Sequence, residues 1–141
     1  MKSLAVLALC GCVLLIDGPA SGEDEPKVDC ENAQTQTDMN ICAGLDYEEA
    51  DKALNAQWPL TRKAMVEWDK QLGDAQTEPG AEKALLKAQR AWLDYRDGQC
   101  EAQGFSVRGG SMEPLVVSSC LAELTRKRTE ELKAMADGFE Q

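Results

Sequence analysis

The sequence predicts an all-α fold: a small, disulfide-linked antiparallel bundle of three main helices, with a short additional helix at its N-terminal end. Three observations lead to this fold class. Apolar residues recur at spacings of three, four and seven over long stretches of the chain, which is the period of one helix face. No stretch shows the alternation of apolar and polar residues that is typical of a half-buried strand. Four cysteines follow an apparent export signal, and exported chains form disulfides.

Residues 1–22 are predicted to be a cleaved signal peptide. A basic start precedes an apolar run from Leu4 to Ile16, which is shorter than the about 20 apolar residues that span a bilayer. Small residues favour cleavage before Glu23, with a cut after Ala20 as the close competitor. Residues 23–29 are acidic, contain a proline and are expected to be a flexible lead-in to the folded domain.

A lipobox-like sequence inside this signal offers a second route of export. The segment Leu9-Cys10-Gly11-Cys12 loosely resembles the bacterial motif whose cysteine is acylated after cleavage. The apolar run continues through Ile16, so cleavage before Cys12 would leave too short an apolar core in front of the cut. We therefore expect a periplasmic or secreted protein, with a lipoprotein attached through Cys12 as the less favoured alternative.

The folded domain is predicted to begin with a short helix. Thr35 can cap a helix from Gln36 to Ala43, and Gly44 would end it. Met39 and Cys42 lie on one side of this helix at a spacing of three. We expect the helix to fasten the N-terminal segment rather than to build the core.

The first main helix is predicted from a capping box and a long apolar seam. Asp46 and Glu49 have the form of the box, and the seam follows from Tyr47 to Leu72 at alternating spacings of four and three. Pro59 lies within the seam, where it removes one backbone hydrogen bond. The seam continues in phase on both sides of the proline, so we expect a kink in one helix rather than two helices.

Turn residues lie on either side of the second main helix. Residues 73–80 are rich in glycine, proline and cap residues, so the chain is expected to reverse there. The helix then runs from about Pro79 to Ala102, with apolar residues from Leu85 to Cys100 on one face, and Gly104 ends it. A glycine-rich loop of residues 104–111 leads to the last helix.

The last main helix is predicted to begin near Ser111 and to end at Gly138. Ser111 is a suitable N-cap, and Pro114 is tolerated in the first helical turn. An apolar stripe from Val117 to Met135 follows the helical period. Arg128 interrupts this stripe with a positive charge.

The cysteines of the mature chain predict two disulfides. Cys30, Cys42, Cys100 and Cys120 remain after removal of the signal, and four cysteines allow three pairings. Sequence neighbours favour Cys30 with Cys42 and Cys100 with Cys120, and each bridge would stabilise the fold by about 3 kcal/mol. The chain has no histidine, and the four remaining cysteines include no close pair, so no metal site is expected.

The charge of the chain indicates which partners it can bind. The formal net charge of −10 belongs entirely to the mature protein, because Lys2 and Asp17 of the signal cancel. Such a charge argues against nucleic acid and against anionic membrane surfaces, and no transmembrane segment is predicted. The favoured electrostatic partner is a basic protein, although acidity for solubility alone is the simpler explanation of the composition.

Polar residues interrupt the apolar faces of all three main helices: Asp51, Asn55, Gln89, Arg96 and Arg128. A buried guanidinium needs a partner, because an isolated buried charge is strongly unfavourable. We expect a partly buried structural network in which Arg96 donates two parallel hydrogen bonds to Asp51. A binding site is the alternative interpretation, and the structural one is favoured because buried polar groups can determine which helices pack together.

The sequence predicts a protein that is not an enzyme. The chain has no histidine, no cysteine that is expected to stay reduced, no nucleophile elbow and no phosphate-binding loop. Paired carboxylates are the remaining catalytic chemistry, and acidic residues are too abundant here for their proximity to indicate catalysis. No catalytic residue and no cofactor are therefore expected.

The order and spacing of several short segments are more specific than any one of them. The segments are Cys30, Met39–Ala43, Ala50–Asp51, Leu54–Asn55, Leu86, Ala88–Trp92, Tyr95–Asp97, Cys100, Gly109–Ser111, Cys120, Leu124–Thr125 and Arg128. Together they resemble the LprI-type lysozyme inhibitor N-terminal domain family over residues 30–138. The resemblance implies a small exported bacterial helical domain held by disulfides, in a family of which some members inhibit lysozyme. It transfers no mapped contact residue.

The resemblance also implies a function through binding. It favours an exported protein that blocks a basic wall-degrading enzyme, such as a c-type lysozyme, by protein–protein contact. The candidate contact is the loop of residues 104–111, with Phe105, Arg108 and Ser111 as the partner-binding residues, and a plain connector is the alternative for this loop. The alternative function is a structural or accessory interaction module of the bacterial envelope without lysozyme inhibition. The target and the oligomeric state stay open.

Overall fold

The computed structural model describes residues 28–75, residue 78 and residues 80–139. Three helices are present: α1 (Gln36–Leu72), α2 (Ala81–Gly104) and α3 (Glu113–Phe139), with short 3₁₀ turns at Gly73–Ala75 and Phe105–Val107. The described residues contain no strand, so the predicted all-α class with three main helices is confirmed. The predicted signal peptide and most of the lead-in lie outside the described residues, as do three residues of the predicted turn.

α1 begins with the cap that the sequence predicts. Thr35 Oγ1 accepts a hydrogen bond from the backbone N–H of Asp38 at 3.1 Å, and Asp38 Oδ2 accepts one from the N–H of Thr35 at 3.4 Å. The two bonds form a capping box, which satisfies backbone donors that the start of a helix leaves unpaired.

The separate short N-terminal helix is absent, and its predicted end at Gly44 is wrong. α1 passes through Gly44 without interruption. A glycine inside a helix costs only about 1 kcal/mol relative to alanine, and the buried side chains of Ala43 and Ala50 hold this part of α1 in the bundle. The capping box predicted at Asp46 therefore falls inside α1, where Asp46 instead forms an ion pair with Arg126 of α3.

α1 also continues through Pro59, in agreement with the prediction of one helix rather than two. Two residues further on, Thr61 is fully buried against α3. Its hydroxyl donates a hydrogen bond to the backbone carbonyl of Leu132 at 2.9 Å. The interface between α1 and α3 therefore extends beyond the proline.

α1 and α3 run parallel to each other. The side chain of Asn40 donates to the carbonyl of Ser111 near one end of the interface, and Thr61 donates to Leu132 further along. Both pairs are separated by 71 residues, so the two helices advance together in the same direction.

α2 runs antiparallel to its neighbours and completes the core. Arg62 of α1 pairs with Glu82 at the start of α2, whereas Asp51 lies near Arg96 later in α2, so the order along the two helices is opposite. The apolar core lies where the three helices meet and contains Leu54, Met65, Leu85 and Leu132, with Trp58, Trp92 and Met135 packed against them.

Both disulfides have the pairing that sequence neighbours favour, and that prediction is confirmed. Cys30–Cys42 ties the segment before α1 to the second turn of that helix. Cys100–Cys120 joins the last turns of α2 to α3, so the connection between these helices is closed at its base by a covalent bond.

The N-terminus of α2 is capped by a side chain from α1. Gly80 precedes the helix and has no side chain that could serve as a cap. Asp69 fills this role, because its Oδ1 accepts the N–H of Ala81 at 2.7 Å and its Oδ2 accepts the N–H of Glu82 at 3.0 Å. A carboxylate at this position also complements the positive end of the helix dipole. The end of α1 and the start of α2 are therefore joined across the turn.

We expect Asp69→Ala to lower the free energy of unfolding by about 1 kcal/mol, the usual effect of losing an N-cap. The thermal midpoint should fall by about 4 °C, measured by circular dichroism. Glu67→Ala is the matched control, because Glu67 lies in the same part of α1 and its pair with Lys70 is exposed to solvent. Equal midpoints for the two variants would contradict a capping role.

Candidate functional site

The connection between α2 and α3, residues 105–112, forms the candidate site and is called the α2–α3 loop. It presents two large apolar side chains to solvent: Phe105 is 58% exposed and Met112 is 46% exposed. The disulfide Cys100–Cys120 closes the base of the loop. Its far end is tied to α1, because the Asn40 amide donates to the carbonyl of Ser111 at 2.9 Å. An exposed segment is thus held at both ends.

Arg108 lies across the exposed face of the loop. Its guanidinium carbon is 4.2 Å from the centre of the Phe105 ring, within the distance of a cation–π contact. Its Nη1 also lies 3.9 Å from Glu101 Oε1 of α2. Both contacts hold the guanidinium in place while about half of the side chain stays exposed. The structure therefore presents a positive charge and an aromatic ring as one unit.

Carboxylates lie in a groove beside this positive charge. Asp97, Glu101 and Glu113 line a groove of about 330 Å³ beside Arg108, and Val117 and Leu121 form its apolar part. The three acidic residues come from the end of α2 and the start of α3, and the disulfide brings these two regions together. We call Asp97, Glu101 and Glu113 the acidic rim.

Glycines give the loop its shape. Gly109 has a φ of +76°, a conformation that other residues rarely adopt, and its N–H donates to Glu113 Oε2 at 2.6 Å. A Cβ on Gly104 would lie 2.6 Å from Cγ2 of Val117, so a glycine lets the end of α2 approach α3 closely.

The three loop residues predicted to bind a partner have two different roles in the structure. Phe105 and Arg108 are brought together in one contact. Ser111 takes part through its backbone carbonyl, which anchors the loop to α1. Sequence reasoning missed Met112 and the acidic rim, although the spacing of four between Asp97 and Glu101 indicates that these two share a helix face.

The predicted polar network forms two clusters, and an arginine of each contacts Trp92. In the first, Arg96 has a side chain only 9% exposed and lies between two rings, 5.1 Å from Trp92 and 5.6 Å from Tyr47. Its Nε donates to Asp97 at 2.8 Å, whereas Asp51 is 3.8 Å away. The predicted pairing of Arg96 with Asp51 is thus present as an ion pair, but the two parallel hydrogen bonds expected for it are not formed.

The carboxylate of Asp51 has another partner. Its Oδ2 accepts a hydrogen bond from the Asn55 amide at 2.7 Å, four residues along α1. Asp97 is the immediate neighbour of Arg96 on α2 and reaches the guanidinium without spanning the space between helices. Asp97 therefore makes the short hydrogen bond with Arg96, and Asp51 adds an electrostatic attraction at longer range.

Arg128 forms the second cluster. Its Nε donates to Gln89 Oε1 of α2 at 3.0 Å, and its Nη1 donates to Glu131 at 3.1 Å. Its side chain is 8% exposed, and the guanidinium lies 5.9 Å from the Trp92 ring. Two arginines from two helices thus contact one tryptophan. The spacing of four between Trp92 and Arg96 indicates the first contact, whereas the contact with Arg128 depends on how α3 packs against α2.

A groove between α1 and α2 opens next to the first cluster. Its volume is about 280 Å³, and it is lined by Asp51, Leu54, Asn55, Trp58, Leu86, Gln89, Arg90, Leu93 and Arg96. Within the part of the chain that the structure describes, no three histidine, cysteine, aspartate or glutamate side chains come together as a metal site. No described helix is both long and apolar enough to cross a membrane.

The sequence model of a protein family described as lysozyme inhibitor LprI matches residues 29–132. The chain belongs to this family. The matched segment of the LprI domain contains both disulfides, the α2–α3 loop and both arginine clusters. The resemblance that the sequence segments indicate is thereby confirmed.

Two individual proteins are similar to this LprI-family chain. The uncharacterized protein R02472 of Rhizobium meliloti (strain 1021) is 54% identical over 129 residues, which make up 91% of this chain and 92% of the relative. The crystal structure of a DUF1311 family protein from Pseudomonas putida KT2440 has a TM-score of 0.57 at 22% identity, covering 74% of this chain and 97% of that one. At this identity the likeness shows the fold alone.

Burial raises the pKa of Tyr47 above its ordinary value of 10.0, although the nearby charge of Arg96 lowers it. The folded state thus favours the neutral phenol of Tyr47. The contribution of this phenol to the stability of the fold is fully present below pH about 10 and is lost as the pH rises through the pKa of the folded state.

We expect the thermal midpoint of Tyr47→Phe to fall less than that of the wild type when the pH rises from about 9 to about 11, because phenylalanine has no phenol to ionise. The exposed Tyr95 supplies the control Tyr95→Phe. Parallel curves for Tyr47→Phe and the wild type would refute this linkage.

Proposed function

We propose that this LprI-family protein is an exported inhibitor that blocks a basic wall-degrading enzyme of the lysozyme type by protein–protein contact. The observation that carries the proposal is the α2–α3 loop, an exposed segment held at both ends in a chain whose family is described as a lysozyme inhibitor. The two disulfides support a location in the periplasm or outside the cell, because such bonds persist in oxidising compartments.

Charge supports a basic target. The net charge of −10 would steer a basic enzyme toward this protein and raise the association rate in a salt-dependent way. The acidic rim concentrates part of this charge around the loop. A basic surface bordering an enzyme cleft would therefore meet carboxylates in the groove beside Arg108.

The loop also suits the interior of such a cleft. Lysozyme cuts its substrate with two carboxyl groups in a groove, so an inserted element must fill the groove without repelling those acids. Arg108 would bring a positive charge toward them, and Phe105 would bring an apolar surface. Because the ring and the guanidinium already contact each other, little conformational freedom is lost on binding. This mode of action needs no catalytic group.

We expect the double variant Phe105→Ala with Arg108→Ala to weaken inhibition of a basic c-type lysozyme by about 30-fold or more, since central aromatic and arginine contacts dominate interfaces. Residual lysozyme activity titrated with the purified mature domain at two salt concentrations gives the inhibition constant. The matched control is Leu60→Ala with Lys63→Ala, an exposed apolar and cationic pair on α1 far from the loop. Equal inhibition by the two double variants would remove the loop from the proposal.

The same titration separates the two functional classes. Inhibition by the wild type that weakens as salt rises supports the proposed inhibitor. Absence of inhibition at both salt concentrations would refute it and favour the envelope interaction module.

Arg96→Met tests whether the first arginine cluster is structural. We expect it to lower the free energy of unfolding by about 1 to 3 kcal/mol, because the contacts to Asp97 and the two rings are lost. Inhibition per folded molecule should be unchanged. Lost inhibition with an unchanged denaturant midpoint would instead place Arg96 in a binding site.

A further inference from the structure

The outward face of α2 carries an apolar row that no other described element covers. The row has the helical spacing of four and three and consists of exposed residues: Ala84, Ala88, Ala91, Tyr95, Gly98 and Ala102. Tyr95 is 56% exposed, and a Cβ on Gly98 would meet nothing within 4 Å. Alanines alone indicate only a strong helix former. The argument for a partner comes from the charges beside them.

Six exposed charges run along α2 next to this row, and their signs are separated. The first three are positive (Lys83, Lys87 and Arg90) and the last three are negative (Asp94, Asp97 and Glu101). Neighbours of like sign at spacings of three and four repel each other. Cations near the start of a helix and anions near its end also oppose the helix dipole. Arg90 and Asp94 are the one neighbouring pair of opposite sign, so the pattern as a whole does not stabilise α2 itself.

Contacts within the chain neutralise only part of this pattern. Lys83 forms an exposed pair with Glu78, Asp97 accepts from Arg96, and Glu101 lies at long range from Arg108. All six charged residues stay exposed to solvent. The six charged side chains beside the apolar row are thus accessible to a surface of complementary charge.

The charges are inverted about the middle of the helix. Lys83 and Glu101, Lys87 and Asp97, and Arg90 and Asp94 all lie at equal distances from position 92. Two α2 helices packed antiparallel would therefore place each positive residue opposite a negative residue of the other helix. Each of the three pairs would occur twice, which gives six pairs of opposite charge. A parallel pair would place like charges opposite each other.

We propose that this face of α2 binds a second copy of the chain, with the two α2 helices antiparallel. The arrangement is isologous, because one patch serves both partners about a two-fold axis. The apolar rows would meet from Ala84 to Ala102 of α2, a length of about 27 Å. Small side chains let the helices approach closely, and Tyr95 would lie against Ala91 of the second copy.

Two charge variants test the pairing. The first variant, Lys83→Glu with Arg90→Glu, makes the six charged positions mainly negative. The second variant, Asp94→Lys with Glu101→Lys, makes them mainly positive. Each places like charges opposite each other at four of the six pairings of its own antiparallel pair, whereas a mixture of the two restores all six opposite pairings. Lys52→Glu with Lys127→Glu is the control, because both lysines are exposed on other helices and the change in net charge equals that of the first variant.

Sedimentation velocity on the mature domain at low salt gives the mass of each sample. We expect a dimer for the wild type and the control, monomers for each charge variant alone, and a dimer for their equimolar mixture. Rising salt should weaken the wild-type dimer.

Several results would overturn the proposal. The first is a wild type that stays monomeric up to a protein concentration of about 1 mM. The second is a dimer that persists in both charge variants. The third is a control variant that dissociates as much as the charge variants do. Loss of lysozyme inhibition by the first variant, whose two substitutions lie outside the acidic rim, while the wild type is a monomer would assign this face to a different partner.

Discussion

The parallel packing of α1 on α3 is the constraint on which the rest of the structure depends. Small residues are buried along both helices, among them Ala43, Ala50, Ala122 and Ala136, so two long backbones can lie close together. The contact of Thr61 with Leu132 extends this interface past Pro59. Because α1 is already held along its length, neither Gly44 nor Pro59 divides it. A separate N-terminal helix would have lost this continuous burial.

α2 is attached to that pair by a small number of specific contacts. Asp69 caps its first turn, a disulfide holds its last turns, and arginines that contact Trp92 hold its middle. A helix held at these points can leave its outward face bare. The charges on that face are arranged against the preferences of an isolated helix, which is why a second surface offers the better explanation for them.

The same attachment shapes the α2–α3 loop. The bridge Cys100–Cys120 brings the end of α2 beside the start of α3, and this places the acidic rim beside Arg108. Phe105 then stacks on the guanidinium instead of entering the core. A loop without this closed base would keep the same residues but would lose their fixed arrangement. For an LprI-family protein that acts by contact, a preformed surface reduces the entropy lost on binding.

The sequence by itself determined the features that depend on local spacing. Helical periods predicted the three main helices, Thr35 marked the start of α1, and neighbouring cysteines indicated the disulfide pairs. Only the tertiary structure decided whether α1 ends at Gly44 and which carboxylate Arg96 contacts most closely. Gly44 lies inside a helix because buried neighbours outweigh its propensity, and Arg96 contacts Asp97 most closely because that carboxylate is already within reach. The cap from Asp69 and the shared ring of Trp92 join segments far apart in sequence, so their geometry depends on how the helices pack.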